Sequence, residues 1–345
     1  MYQNLQSLLT TTDRITLVLN NGFERRTLRS AEALKEVGLR AVQVLLLRYD
    51  GPENKKSYAK VSRIAKQLVE GNSAYLEVSC NDADSLDPIF RGLDLEHERV
   101  VCDISGLSRH VTLTLLTMLY RKRVKFSLIY TEAKEYYPRR KEFRALLRLR
   151  DPSEAFEQLT SYEKAEIVYS SKCDVQEIVE LPGRIFPNHP VMLIGFLAFK
   201  RSRLSCILTQ YETNARTLIQ SVPVRQDLRW RERALEIINF DLVDENRENI
   251  IKVPTLDWTQ TYKRLSELYR RNNARYRFNT LLAPIGGKMQ TLGAWVFAVN
   301  NPDVKVVIST PQRHFSDKYS MGYTATHLIC MDSIYNGKDQ GVDFG

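Results

Sequence analysis

Short apolar runs rich in β-branched residues alternate with stretches that are apolar every third or fourth position, and this alternation is written twice along the chain. In the first half, ITLVLN (15–20), AVQVLLLRY (41–49), AYLEVSC (74–80), RVVCDIS (99–105) and VKFSLIYT (124–131) read as strands bounded by turn residues. Helices are expected between them. SAEALKEVG (30–38) has Ser30 as N-cap and Gly38 as stop, and SYAKVSRIAKQLVEG (57–71) ends at Gly71. In the latter, Val61, Ile64, Ala65 and Leu68 share one face. SLDPIFRGL (85–93) reads as a short helix and SRHVTLTLLTMLYR (108–121) as a longer one.

The second half keeps the same order. Strands VMLIGFL (191–197), ARTLIQSV (215–222), NIIKV (249–253), RFNTLLAPI (277–285) and VKVVIST (304–310) are separated by expected helices at 200–211, 227–239, 257–271 and 288–299. Strands joined through helices of this length imply βαβ crossovers and a mostly parallel sheet. The predicted fold class is therefore α/β: two tandem Rossmann-like, doubly wound domains joined by a helix and hairpin insertion. Residues 1–131 form the first domain, 132–189 the insertion and 190–345 the second domain. Within the insertion, PRRKEFRALLRLRDPSEAFEQL reads as helical and AEIVYSSKCDVQEIVELPG as a hairpin. ATHLICMDS (325–333) is expected to add one more strand.

That architecture points to candidate chemistry. Ligands of open parallel sheets sit beyond the carboxyl ends of the strands, where strand order reverses. In the first half those ends carry Asn21, Gly22 and Arg25 (NNGFERR), Asp103, Ser105, Gly106, Ser108 and Arg109 (DISGLSR), and Tyr130, Thr131 and Glu132 (YTEAKEYY). The second half offers GFLAFKRSR, STPQRHF and PIGGKMQ, the last with Gly286, Gly287, Lys288 and Gln290. A glycine turn entering a helix lets backbone amides approach an anion, and the positive end of the helix faces the same spot. The expected ligand is a nucleotide or other phosphorylated small molecule.

Named motifs fail. No G-x-G-x-x-G follows the first strand. IGGK lacks the first glycine and the hydroxyl residue of a P-loop, and in GLSRH His110 stands where a nucleophile elbow needs glycine. Histidines at 97, 110, 189, 314 and 327 show no metal spacing, so no metal or cofactor is named.

Composition narrows the class. With 43% hydrophobic and 26% charged residues among 345, the chain is that of a globular protein. A net charge of +9 favours polyanionic partners, and the basic run YYPRRKEFRALLRLR keeps a nucleic-acid partner in view. Five scattered cysteines (80, 102, 173, 206, 330) form no C-x-x-C pair. They read as thiols in a reducing compartment. With no apolar run of membrane length and no signal-peptide pattern, a cytoplasmic location is the expectation.

At the level of fold, the doubled scaffold is similar to paired Rossmann-like receptors for cyclic oligonucleotides in bacterial antiviral signalling. The expected function is a binding or sensing module for an anionic ligand between the two units, alone or with a protein partner. The alternatives are a two-domain transferase acting on a nucleotide-linked substrate, and a nucleic-acid-associated protein. In the transferase reading, Glu132, Asp103 or His110 serves as base while Lys288 and Arg109 steady the leaving phosphate.

Overall fold

The computed structural model of the chain describes residues 2–11, 13–80, 86, 98–164, 172–275, 277–312 and 318–334. The chain divides into two compact units. Met1–Tyr137 with Phe315–Gly345 forms the first, and Pro138–His314 the second.

The first unit is laid down as β1 (Tyr2–Gln3), β2 (Arg14–Asn20), α1 (Arg25–Glu36), β3 (Ala41–Arg48), α2 (Lys55–Leu68), β4 (Val69–Ser79), β5 (Glu98–Asp103), α3 (Arg109–Arg121), β6 (Lys125–Thr131) and β7 (Glu135–Tyr136). The second unit opens with three short helices, α4 (Arg140–Phe143), α5 (Pro152–Glu157) and α6 (Ser161–Glu163). It continues through β8 (Cys173–Glu177), β9 (Val191–Phe196), α7 (Ser202–Gln210), β10 (Ala215–Val222), α8 (Trp230–Ile238) and α9 (Phe240–Glu245). β11 (Ile250–Pro254), α10 (Trp258–Arg275), β12 (Asn279–Ala283), α11 (Lys288–Asn300) and β13 (Lys305–Pro311) complete it. The chain then returns to the first unit with β14 (Ser320–Met321) and β15 (Thr326–Cys330).

Both units are Rossmann-like. In the first, β4, β3, β2, β5 and β6 lie side by side in parallel, and β15 pairs antiparallel with β6. In the second, β11, β10, β9, β12 and β13 are parallel, with β8 antiparallel beside β13. Counted along the chain, the parallel strands of each sheet run 3-2-1-4-5. The order therefore reverses between β2 and β5 in one unit and between β9 and β12 in the other.

The pattern of buried residues explains why these runs became central strands. Leu17, Val18 and Leu19 are all at most 1% exposed, as expected when helices cover both faces of a sheet. Removing a Leu or Val side chain from water in this way stabilises by roughly 1.5–3 kcal/mol. α11 is buried from Met289 to Ala298, and its Gly293 lies against the backbone of α10. No helix among the described residues is long and apolar enough to cross a membrane.

Several local expectations need correction. Ser30 does not cap a helix: α1 starts at Arg25, directly after the Asn-Gly turn, and Ser30 is buried in its middle. Gly71 does not end α2 but lies within β4 at φ +55°, beside a register shift against β3. The expected hairpin of the insertion yields one described strand, β8, whose partner is β13 at the far end of the unit. Residues 132–137 belong to the first unit and the insertion from Pro138 onward to the second. The tail, placed by sequence in the second domain, adds β15 to the first sheet, pairing antiparallel with β6 and burying the adjacent Leu328 and Ile329. The expected helix at 85–93 lies outside the described residues, apart from Leu86 in a helical turn.

Candidate functional site

In the first unit the reversal point is closed by its own side chains. Asn20, the last residue of β2, donates to the backbone carbonyl of Asp103 at 2.9 Å and accepts from the Gly22 amide at 3.1 Å. A Cβ on Gly22 would lie 3.0 Å from the Cα of Gly106, and one on Gly106 would lie 2.3 Å from Asn20 Oδ1 and Thr27 Oγ1. These glycines let two loops pack face to face. Gly106 seals a buried Thr27 hydroxyl that has no partner among the described residues.

A chain of hydroxyls continues inward from there. Ser30 Oγ lies 3.0 Å from Ser105 Oγ and 2.8 Å from Thr131 Oγ1, and Thr131 Oγ1 lies 2.9 Å from Thr326 Oγ1. The Thr131 amide donates to Ser105 at 2.8 Å. α1, the β5 loop, β6 and β15 are thus held by one satisfied network, the arrangement that buried polar groups need.

The remaining sequence candidates of this unit fall around the network. Asn21 accepts from the Tyr49 amide and donates to its carbonyl, binding the ends of β2 and β3. Ser108 caps α3 by accepting from the Val111 amide, with Arg109 and His110 half-buried behind it. Tyr130 is buried and bonded to the Tyr136 hydroxyl at 3.2 Å, and Glu132 is buried with Thr324 on its carboxylate at 3.4 Å. Arg25 is exposed on the first turn of α1. The cation that points inward is its neighbour Arg26, which donates to both oxygens of Glu24 at 3.1 and 2.9 Å. His314 lies outside the described residues.

Asp103 is 1% exposed, and that burial pushes its carboxyl up to about 6 against the pull of Ser105, Ser30 and Arg26. A carboxyl whose folded value is raised binds its proton more tightly in the native state. Its contribution to stability is therefore full below about pH 4 and is lost as pH rises through about 6. Urea unfolding of the wild type and Asp103→Asn between pH 4 and 7 checks this. The wild type should lose stability relative to the variant across that range, and a constant difference contradicts the assignment.

The reversal point of the second unit is built differently. Gly287 is exposed and stands at the N-cap of the 13-residue helix α11, with no side chain to cap it. Gln290, fully buried on the first turn, accepts from the Gly287 amide at 3.0 Å and from Ser221 Oγ, at the end of β10, at 2.8 Å. Because a backbone N–H only donates, these bonds fix which end of the carboxamide is oxygen. Gln290 Nε2 is left buried with no acceptor among the described residues. A Cβ on Gly286 would come within 2.6 Å of Gln290 Oε1 and 2.9 Å of Phe196, so only glycine leaves the amide where it is.

Cations gather at the same sheet edge. Lys200 and Arg201 follow β9, Arg225 and Arg229 follow β10, and Lys288 opens α11 after β12. Arg203, on the first turn of α7, has a buried Nε with no acceptor among the described residues. Arg201 is paired with Asp241 and Arg225 with Asp227. Arg231 is buried, lies 4.1 Å over the ring of Phe199 and donates to the Pro138 carbonyl at 2.7 Å.

The two glycine turns, alike in sequence, therefore part company: the first is capped by a serine side chain and filled, the second has a glycine N-cap whose amide is held by Gln290 and carries buried donors beside it. Sequence reasoning named Gly286, Gly287, Lys288 and Gln290 but missed Ser221 and Arg203. GFLAFKRSR, which contains Arg203, was the available signal. Among the described residues no group of three or more His, Cys, Asp and Glu side chains is placed to hold a metal ion. No protein-family model and no curated protein matches the chain.

Proposed function

We propose that the protein is a binding module for a phosphate-bearing ligand of the nucleotide class, held at the carboxyl edge of the second unit's sheet around Gly286, Gly287, Lys288 and Gln290. The observation that carries this reading is the buried Gln290 amide nitrogen, a donor with no acceptor among the described residues, on the first turn of a helix whose N-cap is a glycine. Leaving such a donor unpaired costs about 1–3 kcal/mol, so the arrangement calls for an oxygen at that spot. The first-turn amides of a helix have no carbonyl acceptor within the helix, and its dipole favours negative charge there. The cations that follow β9, β10 and β12 add long-range attraction for the same kind of ligand. Asp103 and Glu132, two of the three candidate bases of the transferase reading, are buried and hydrogen-bonded within the first unit, and no reaction is assigned.

A thermal-shift screen of the whole chain tests this against inorganic phosphate, nucleoside di- and triphosphates, cyclic oligonucleotides and sugar nucleotides. A ligand at 100 times its Kd should stabilise by about 2.7 kcal/mol. Lys288→Ala should weaken the best compound by about 1–3 kcal/mol, the range for a hydrogen bond to a charged group. Gly286→Ala should weaken it as well, by displacing the Gln290 amide, while Arg109→Ala in the capped turn should not. A compact ligand should also escape the steep salt dependence of nucleic-acid binding, in which affinity falls about 10³–10⁵-fold between 50 and 200 mM salt. Equal affinity in the wild type, Lys288→Ala and Gly286→Ala removes the site.

A further inference from the structure

The segment between β8 and β9 runs along the amino edge of the second unit's parallel strands, opposite the carboxyl edge that carries Gly286 and Gln290. Its course is fixed by hydrogen bonds. The Ile178 amide donates to the Val306 carbonyl at 3.0 Å, and the Arg184 amide to the Asp303 carbonyl at 3.0 Å. Asn279, 2% exposed at the start of β12, directs its whole carboxamide at the same segment. Its Oδ1 accepts from the Phe186 amide at 2.8 Å, and its Nδ2 donates to the Phe186 and His189 carbonyls at 2.9 and 3.0 Å. Gly183, at φ +63°, passes so close to Lys305 that a Cβ there would lie 2.3 Å from the Lys305 amide nitrogen.

What this scaffold holds up to solvent is apolar. Val179 is 80% exposed, Ile185 51% and Phe186 44%, and residues 184–188 are exposed without interruption. A lone exposed Leu or Phe needs no explanation, but a firmly held apolar run does. Arginines flank it. Arg184 precedes Ile185, and Arg277 lies two residues before Asn279. Arg270 and Arg271 follow Tyr269, whose hydroxyl donates at 2.6 Å to Asp303, the residue that also holds the Arg184 amide. All four arginines are exposed, and none is ion-paired among the described residues.

We propose that this edge docks on an anionic lipid surface, with Ile185 and Phe186 entering the boundary between headgroups and acyl chains while the four arginines meet the headgroup charge. A protein hot spot seats its aromatic anchor in a shaped pocket ringed by water-excluding contacts. A lipid surface accepts a protruding apolar tip without such a pocket and supplies the dispersed negative charge that arginines spread along one edge attract. Because Asn279 and Gly183 fix the tip beforehand, little chain entropy is lost on docking. The amino edge carries no residue of the phosphate-ligand site, so this inference stands independently of that reading.

The experiment sediments the whole chain with vesicles of phosphatidylcholine alone and of an equal mixture with phosphatidylglycerol. Wild type should pellet with the anionic vesicles and stay in solution with the zwitterionic ones. Arg184→Gln and Arg270→Gln should each weaken that binding about fivefold. Ile185→Ser combined with Phe186→Ser leaves every charge in place and should weaken it at least about tenfold. Both positions are exposed, so urea unfolding of the double variant should match wild type. Wild type remaining in solution with the anionic vesicles overturns the proposal, and so does equal binding by the double serine variant. Binding to polyglutamate with none to the vesicles also overturns it and assigns the edge to an acidic protein.

Discussion

Glu24→Ala should cost about 3–5 kcal/mol of stability, the loss expected when one partner of a buried ion pair is removed. Arg26 is 6% exposed, and Glu24 takes two hydrogen bonds from its guanidinium and another from the Ser320 hydroxyl. The guanidinium also lies 5.8 Å from the ring centre of Tyr130. An arginine cannot shed its proton to escape burial, so without Glu24 the charge stays uncompensated. The same change unhooks Ser320 and with it the returning tail. Replacing both residues with leucine should recover most of the loss, because no buried charge remains. Urea unfolding of Glu24→Ala and of the double leucine variant measures this. A loss below about 1 kcal/mol for Glu24→Ala, as for a solvated pair, contradicts it.

Gly293→Ala should destabilise the second unit by about 1–3 kcal/mol, although alanine is the better helix former by roughly 1 kcal/mol. The added Cβ would lie 2.3 Å from the Trp258 carbonyl oxygen and 2.7 Å from the Thr261 Cβ. These are backbone and branched atoms of α10 and cannot swing away, so the two helices must part. The sign is therefore diagnostic: a stabilised variant would mean the helices do not approach so closely. Trp295, fully buried on α11, provides a fluorescence signal for the unfolding curve. Gly286→Ala is the instructive contrast. Its closest neighbour is the movable end of Gln290, so the same methyl group should disturb binding more than folding.

Element order was legible in the sequence because apolar runs and helical stripes are local signals. Strand order was not, since a 3-2-1-4-5 sheet arises from pairings between distant segments. Ser30 was misplaced for a physical reason. Arg26, Thr27 and Ser30 belong to the buried face of α1, so the first turns of that helix carry no apolar stripe. Their partners are hydroxyls on β6, β15 and the β5 loop, invisible to any local pattern. Gly106 and Gly286 looked equivalent for the same reason. What separates them is the opposing group, Gly22 in one case and Gln290 in the other.

Isothermal titration of the intact protein with the strongest compound from the phosphate panel, run in parallel on wild type and Lys288→Ala, addresses the binding claim most directly. A saturable curve with one compound per chain for wild type, weakened at least about fivefold in the variant, is the predicted result. Superimposable isotherms from two equally well-folded proteins would contradict it.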